Sequence, residues 1–83
     1  MARYRKKPVV VEAFQFTGKD ESQWPDWAKN HPDILYSVYD NELLIRTLEG
    51  YQVAKLGHYI VRGVKGELYP VKPEIFEETY EPL

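Results

Sequence analysis

The residues of this chain that are best suited to bind a ligand lie around one glycine-rich turn. They are His58, Tyr59, Arg62, Lys65 and Tyr69, together with Arg46 on a strand that is expected to neighbour the turn. Cationic side chains can neutralise a phosphate, and a tyrosine ring can stack on a base. The pattern predicts a site for a small anionic, nucleotide-like ligand. Ordinary tyrosines beside solvated basic residues are the alternative interpretation, and the residues fit it equally well.

The turn itself reads Gly63-Val64-Lys65-Gly66. Backbone amides flanked by glycines, with a lysine beside them, can form a nest for an anion. However, the G-x-x-x-x-G-K-S/T spacing of a phosphate-binding P-loop is absent, and no long helix follows the turn. A plain hairpin turn is therefore the favoured interpretation, and an anion nest is the alternative.

Groups that could perform catalysis are few. They are Ser22, Ser37, His31 and His58, and the carboxylates of Glu12 and Glu67. No motif joins a serine to a histidine, because Ser22 is better explained as a helix cap and Ser37 as part of an amphipathic strand. Neither histidine has a metal-site spacing, and strand-surface or salt-bridged glutamates are the simpler explanation of the two acids. We expect a binding protein without metal or cofactor, and a nucleotide-processing enzyme is the alternative.

Length and composition set limits on the fold. The 83 residues fit a single domain spanning positions 1–83 with a thin core, and the absence of cysteine excludes disulfides and thiolate sites. The formal net charge of −2 argues against general nucleic-acid binding. No stretch is long and apolar enough for a signal peptide or a membrane span. We therefore expect a soluble, cytoplasmic protein without a membrane partner.

The aromatic content is high for so short a chain. Seven tyrosines, two tryptophans and three phenylalanines offer flat surfaces that often anchor interfaces. Together with the thin core, they favour a homo-oligomer. Trp24 and Trp27 are most simply explained as the core face of a short helix, and the alternative is that they anchor an interface.

The alternation of apolar and polar residues predicts the secondary structure. Strands are predicted over residues 9–16, 34–39, 43–48, 51–54, 58–62 and 67–71, with the first strand central in its sheet. Ser22 would cap a short helix over residues 23–30, and Pro73 would open a helical turn near the C-terminus. After Pro32 no connection is long enough for a parallel crossover. The predicted fold class is α+β, with a small antiparallel meander sheet that curls toward a barrel.

The two ends of the chain differ in charge. The N-terminus is basic and the C-terminus acidic, through Arg3, Arg5, Lys6 and Lys7 at one end and Glu74, Glu77, Glu78 and Glu81 at the other. The ends could attract each other within a chain or between chains. Two solvated, disconnected ends are the favoured interpretation, because exposed ion pairs contribute little.

Stretches at both ends of the sequence also resemble stretches found in other proteins. The sequence opens with RKKPVVVEAFQFTG after its first four residues, and from Leu43 it reads LLIRTLEGYQVAKLGHYIVRGVKGELYPVKPEIFEETYE. These stretches resemble a family of small, mostly uncharacterised bacteriophage and prophage proteins. The family hallmark is Pro-Gly-Asp-Tyr, a hairpin, and then Gly-Glu-x-Tyr-Pro-x-Lys-Pro-x-Ile-Phe-x-x-Thr-Tyr-Glu. This chain has Leu56-Gly57-His58-Tyr59 at the first motif, so Leu56 replaces the proline and His58 the aspartate.

The resemblance implies a phage-encoded protein that acts in the host cytosol. Together with the aromatic and basic hairpin, it leads us to expect a non-enzymatic anti-defence protein that sequesters a nucleotide-derived immune-signalling molecule. A chain this short cannot easily enclose a ligand, so the site is expected between subunits. The alternative is a protein-binding inhibitor of a host factor, or a virion accessory protein, that uses Trp24 and Trp27 as anchors.

Overall fold

The computed structural model describes residues 2–4, 8–18 and 20–83. Within those residues the chain forms six strands and one α-helix: β1 (Glu12–Gln15), β2 (Ile34–Ser37), β3 (Glu42–Thr47), β4 (Gly50–Ala54), β5 (Tyr59–Arg62), β6 (Leu68–Val71) and α1 (Pro73–Thr79). Each strand lies within a predicted strand or extends one residue beyond it. Arg5, Lys6 and Lys7 of the basic N-terminus, and Lys19, lie outside the described residues.

The first sheet has the strand order β1-β5-β6 and is antiparallel throughout. Its register places Ala13 opposite Val61, and Val61 opposite Tyr69. The prediction that the first strand is central is wrong. Strand β5 pairs with β1 on one side and with β6 on the other, which leaves β1 at the edge. Before β1, Val9 and Val10 are exposed.

The second sheet is the meander β2-β3-β4, in which both strand pairs are antiparallel. The predicted hairpin between β2 and β3 is confirmed, and Asn41 in its turn has a positive φ of 51°. The Tyr36 hydroxyl donates to the Asn41 side-chain oxygen at 2.7 Å, which holds the turn against the start of the hairpin. Gly50, with φ of 105°, allows the chain to reverse direction between β3 and β4, because glycine tolerates that backbone conformation.

The hydrophobic core lies between the two sheets. Ile60 and Leu68 of the first sheet and Leu43 and Ile45 of the second are buried in one cluster. Strand β6 contacts β3 and β4, but no backbone ladder joins the sheets. The described strands therefore do not close into a barrel, and that part of the fold prediction is wrong. The fold is a mostly β structure of two small sheets, and side-chain packing rather than strand pairing joins these sheets.

The segment after β1 is not the predicted helix over residues 23–30. It contains a 3₁₀ helix, Glu21–Gln23, and only turns follow. Trp24 has an extended backbone with ψ of 153°, because the ring of Pro25 disfavours the helical conformation in the residue before it. The cap is Asp20 rather than Ser22. The Asp20 carboxylate accepts hydrogen bonds from the Ser22 hydroxyl and amide, which hold the pKa of Asp20 below its usual value.

Helix α1 confirms the predicted helical turn near the C-terminus. Pro73 begins it, at a position where the missing N–H would have had no partner within the helix. The helix packs through Phe76 on Tyr59, on the face of the first sheet that points away from the core. Val61 is fully buried on this face. No helix in the described ranges is long and apolar enough to cross a membrane.

Candidate functional site

The backbone of the turn between β5 and β6 is hydrogen-bonded to the carboxylate of Glu67. The Glu67 side chain lies directly over Gly63, and it accepts a hydrogen bond from the Lys65 amide at 3.1 Å. The Gly66 amide donates to the Gly63 carbonyl at 3.0 Å, as expected for a hairpin turn. The favoured interpretation of a plain turn is confirmed, and the Lys65 amide that an anion nest would use is occupied by Glu67.

The tyrosines and the arginine that were predicted to act together lie on opposite faces of the first sheet. Side chains alternate along a strand, so Tyr59 and Arg62, three residues apart, project to opposite sides. Tyr69 is paired with Val61 and therefore shares the face of Tyr59, which α1 covers. The rings and the Arg62 guanidinium do not form a single surface at this hairpin.

Arg62 is held on the core side of the sheet by two partners. Its guanidinium lies 5.7 Å from the centroid of the Trp27 ring and 3.7 Å from the Glu12 carboxylate. A cation over a tryptophan ring is attracted by the negative face of the ring. Arg62 thus covers Trp27, while Glu12 is a salt-bridged strand residue.

The histidines and serines are engaged in their own turns. Nδ1 of His58 accepts a hydrogen bond from the backbone amide three residues earlier, at 3.2 Å, and Nδ1 of His31 accepts one from the amide two residues later, at 3.0 Å. The Ser37 hydroxyl donates to the Asp40 carboxylate at 3.2 Å. Across residues 2–4, 8–18 and 20–83, no group of three or more His, Asp or Glu side chains is placed to hold a metal ion.

The two tryptophans pack on the same phenylalanine. The ring centroids of Trp24 and Trp27 lie 5.2 Å and 5.6 Å from that of Phe14. Trp24 is only 7% exposed and belongs to the core, so it leaves little surface for a partner. Trp27 is half-buried beneath Arg62 and offers only part of its ring.

A groove between the β3-β4 turn and the start of β6 contains two of the predicted binding residues. This β3–β6 groove has a volume of about 530 Å³ and is lined by Asp33, Arg46, Thr47, Gln52, Glu67 and Tyr69, among others. Gln52 is paired with the core residue Ile45, so both lie on the face of the second sheet that is directed toward the first sheet. By strand alternation Thr47 shares that face, whereas Arg46 starts from the outer face and forms part of the rim.

The β3–β6 groove is rich in carboxylates. Asp33, Glu49 and Glu67 line it, against the single guanidinium of Arg46. The Thr47 hydroxyl donates to the Gly50 carbonyl at 2.7 Å, and this bond fixes the turn that forms one end of the groove. The charged groups of the lining are therefore mainly hydrogen-bond acceptors, and one positive group lies at the rim.

Tyr69 occupies the edge where the first sheet meets both this groove and α1. Its hydroxyl lies 3.4 Å from that of Tyr80, which follows the helix. Burial, together with this hydrogen bond, raises the pKa of Tyr69 to about 12. Tyr69 is consequently a neutral hydroxyl group at physiological pH.

A second groove lies between residues 8–11 and helix α1. This β1–α1 groove has a volume of about 1180 Å³, and its lining includes Val9, Val11, Ala13, Phe76, Glu77 and Glu81. Its walls are mostly apolar because α1 covers the part of the first sheet near β5 and β6 but leaves β1 uncovered. None of the six residues of the predicted ligand site lines it except Tyr59.

The sequence analysis did not predict Asp33, Glu49 or Gln52 as residues of the β3–β6 groove. The Arg46 amide donates to the Asp33 carbonyl at 2.8 Å, which continues the register of the predicted hairpin beyond Ile34. That register would have placed Asp33 beside Arg46. The position of Gln52 opposite β6 had no such signal, because it depends on packing between the two sheets.

Comparisons with known proteins give no match. No family model matches the chain, and neither the curated proteins nor the solved structures include one with significant similarity to it.

Proposed function

We propose that this chain is a phage-encoded, non-enzymatic protein that sequesters a small nucleotide-derived molecule in the host cytosol. The ligand would lie in the β3–β6 groove, and a second copy would cover it. The groove itself carries the proposal, because its volume of about 530 Å³ falls in the range of roughly 300–1,000 Å³ that is usual for small-molecule sites. The phage origin rests on the resemblance of the two ends of the sequence.

The chemistry of the lining suits a nucleotide with few phosphates. Carboxylates accept hydrogen bonds from ribose hydroxyls and exocyclic amines, and Asp33 and Glu49, which line the groove, would supply such acceptors. The Gln52 amide can both donate to and accept from a base edge. Arg46 at the rim can neutralise one phosphate, and further phosphates would meet the carboxylates. We therefore favour a nucleoside monophosphate or a cyclic nucleotide over a triphosphate.

The proposal is tested by thermal melting against adenosine and guanosine nucleotides that differ only in their number of phosphates. A ligand at 100 times its dissociation constant stabilises the folded state by about 2.7 kcal/mol, which raises the melting temperature measurably. We expect monophosphates or cyclic nucleotides to raise it more than triphosphates. Arg46→Ala and Gln52→Ala should each reduce that rise, because each removes a side chain that would contact the ligand. Both positions are exposed, so these substitutions leave the core intact.

The matched control is Lys65→Ala, which removes an exposed cation outside the groove. It should retain the full nucleotide effect. A melting temperature that no nucleotide changes, or a nucleotide effect that persists unchanged in both groove variants, would contradict the proposed site.

The outer face of the second sheet supports a second candidate function, binding to a host protein. Leu35, Leu44 and Val53 lie opposite one another in a row across β2, β3 and β4. Leu35 and Val53 are each 44% exposed, and Tyr51 is 58% exposed on the same face. An apolar row with an exposed tyrosine is typical of a protein-binding surface.

The two functions are separated by capture experiments from host lysate. Leu35→Ser combined with Val53→Ser should abolish capture of a host protein if this face binds it, and should leave nucleotide stabilisation unchanged. Capture that survives the double substitution would exclude this face as the binding surface.

A further inference from the structure

The β1–α1 groove is an apolar channel with an acidic border. Its walls are formed by Val9 and Val11 on one side and by Phe76 on the other. Glu77 and Glu81 also line it, and they lie on the helix side. An occupant of this groove must therefore combine apolar side chains with positive charge.

The acidic border extends along α1 and the residues after it. Glu74 lies three and four residues before Glu77 and Glu78 on α1, a spacing that makes them neighbours on the helix surface, and Glu81 lies two residues beyond the end of the helix at Thr79. None of the four forms an ion pair within the part of the chain that the structure describes. Carboxylates this close in sequence, with no ion pair to another described residue, repel one another, and a basic partner would relieve that repulsion.

The chain itself contains a segment of the required chemistry. Its first seven residues read Met-Ala-Arg-Tyr-Arg-Lys-Lys, so four cations and one tyrosine precede Pro8. Tyr4 is 95% exposed, and neither Arg3 nor Tyr4 is among the residues that line the groove of its own chain. Pro8 does line that groove, so this segment joins the fold at the groove itself.

We propose that the N-terminal segment of one copy, residues 2–7, docks in the β1–α1 groove of a second copy, and that the exchange is reciprocal. Because the segment joins the fold at the groove, a two-fold axis beside the groove brings each segment to the groove of its partner. In each half of the dimer four cations then face the two carboxylates that line the groove, Glu77 and Glu81, with Glu74 and Glu78 further along α1, and Tyr4 supplies an aromatic anchor for the valine wall. This inference does not depend on any ligand in the β3–β6 groove.

A charge exchange between full-length variants tests the proposal. The first variant has Arg3→Glu, Arg5→Glu, Lys6→Glu and Lys7→Glu, so its segment and its groove are both acidic. The second variant has Glu77→Lys and Glu81→Lys, so both carboxylates that line its groove become cations and its segment remains basic. Each variant alone should self-associate about tenfold or more weakly than the parent, because attraction becomes repulsion.

An equimolar mixture of the two variants should recover the dimer mass in sedimentation velocity. In the mixed dimer the acidic segment meets the basic groove, and the unchanged basic segment meets the unchanged acidic groove. Glu21→Lys combined with Glu42→Lys is the control, since it makes the same change in net charge away from the groove, and it should remain dimeric. Parent association should also weaken with added salt, because exposed charges are screened.

Several results would overturn the proposal. They are a parent chain that stays monomeric at all concentrations, single variants that associate as well as the parent, and a mixture that stays monomeric. Circular dichroism establishes that each variant is folded. If the lysine variant fails that criterion, Glu77→Gln with Glu81→Gln replaces it, and this milder variant must also lose association without loss of folding.

Discussion

The aromatic rings of Tyr59 and Phe76 are stacked, with centroids 3.9 Å apart and planes inclined by only 8°. This contact joins α1 to the first sheet on the face where Val61 is fully buried. We expect Phe76→Ala to lower the free energy of unfolding by about 2 kcal/mol, because it removes a packed ring and uncovers apolar surface beneath it. Urea denaturation followed by circular dichroism measures the change.

Ile75→Ala is the control for this contact. It lies on the same helix, but its side chain is 51% exposed, so the loss should be much smaller. Equal losses for the two variants would mean that the ring stack does not hold the helix in place.

Two glycines in tight turns are expected to resist substitution. Gly57 has φ of 90° and Gly66 has φ of 83°, a backbone region that β-branched residues rarely adopt. Gly57→Val and Gly66→Val should each destabilise the fold by about 2 kcal/mol. Gly63→Ala is the comparison, because there the new methyl group meets only the movable end of the Glu67 side chain. Thermal melting that ranks Gly63→Ala with the two valine variants would show that backbone conformation is not the cause.

The stability of the fold should decline at alkaline pH in a way that depends on Tyr69. Its pKa is raised to about 12, against 10.0 for an unperturbed tyrosine, so between these values the unfolded chain loses a proton that the folded chain retains. The contribution is complete below pH 10 and is lost as the pH rises toward 12. Denaturation of the parent and of Tyr69→Phe over this range should give curves that converge as the pH rises.

Tyr39→Phe provides the comparison for that titration, since its ring is 99% exposed. It should keep the alkaline decline of the parent. Parallel stability curves for the parent and Tyr69→Phe would contradict the assignment to Tyr69.

Arg62 is expected to stabilise the fold through Trp27 and Glu12. Arg62→Ala should cost about 1 kcal/mol, because it removes the cation over the ring and one ion pair that is largely exposed. Lys65→Ala should change stability by less than about 0.5 kcal/mol, since its side chain lies on an exposed turn. A double-mutant cycle with Trp27→Leu isolates the cation–ring contact, and a coupling energy near zero would leave the ion pair as the sole contribution.

The strands could be predicted from sequence because their signals are local. The pairing of Ile34 with Ile45 follows from alternation and from the turn residues between the two strands. The partner of β1 had no such signal, since Ala13 pairs with Val61 across most of the chain. The same limitation explains why one meander was expected where two sheets are found.

The residues predicted to form the ligand site do not lie together, and the physical reason is a different one. Tyr59 and Arg62 are close in sequence, but the two-residue period of a strand sends their side chains to opposite faces. The helix predicted over residues 23–30 is absent because Pro25, although a proline suits the first turn of a helix, makes the backbone of the preceding residue Trp24 extended.

The edge position of β1 has a consequence for the order in which the chain folds. The Gln15 side-chain amide donates to the Gly57 carbonyl at 3.1 Å across 42 positions, so β1 can dock only after a long loop closes. The local hairpins of the second sheet do not carry that cost, and we expect them to form earlier. Amide hydrogen exchange should then be faster in β1 than in β3. A chain caught before this last step would leave β1 unpaired beside the largely exposed run Val9-Val10-Val11, a longer segment of high β-propensity, and the neighbouring cations would act as gatekeepers against its aggregation.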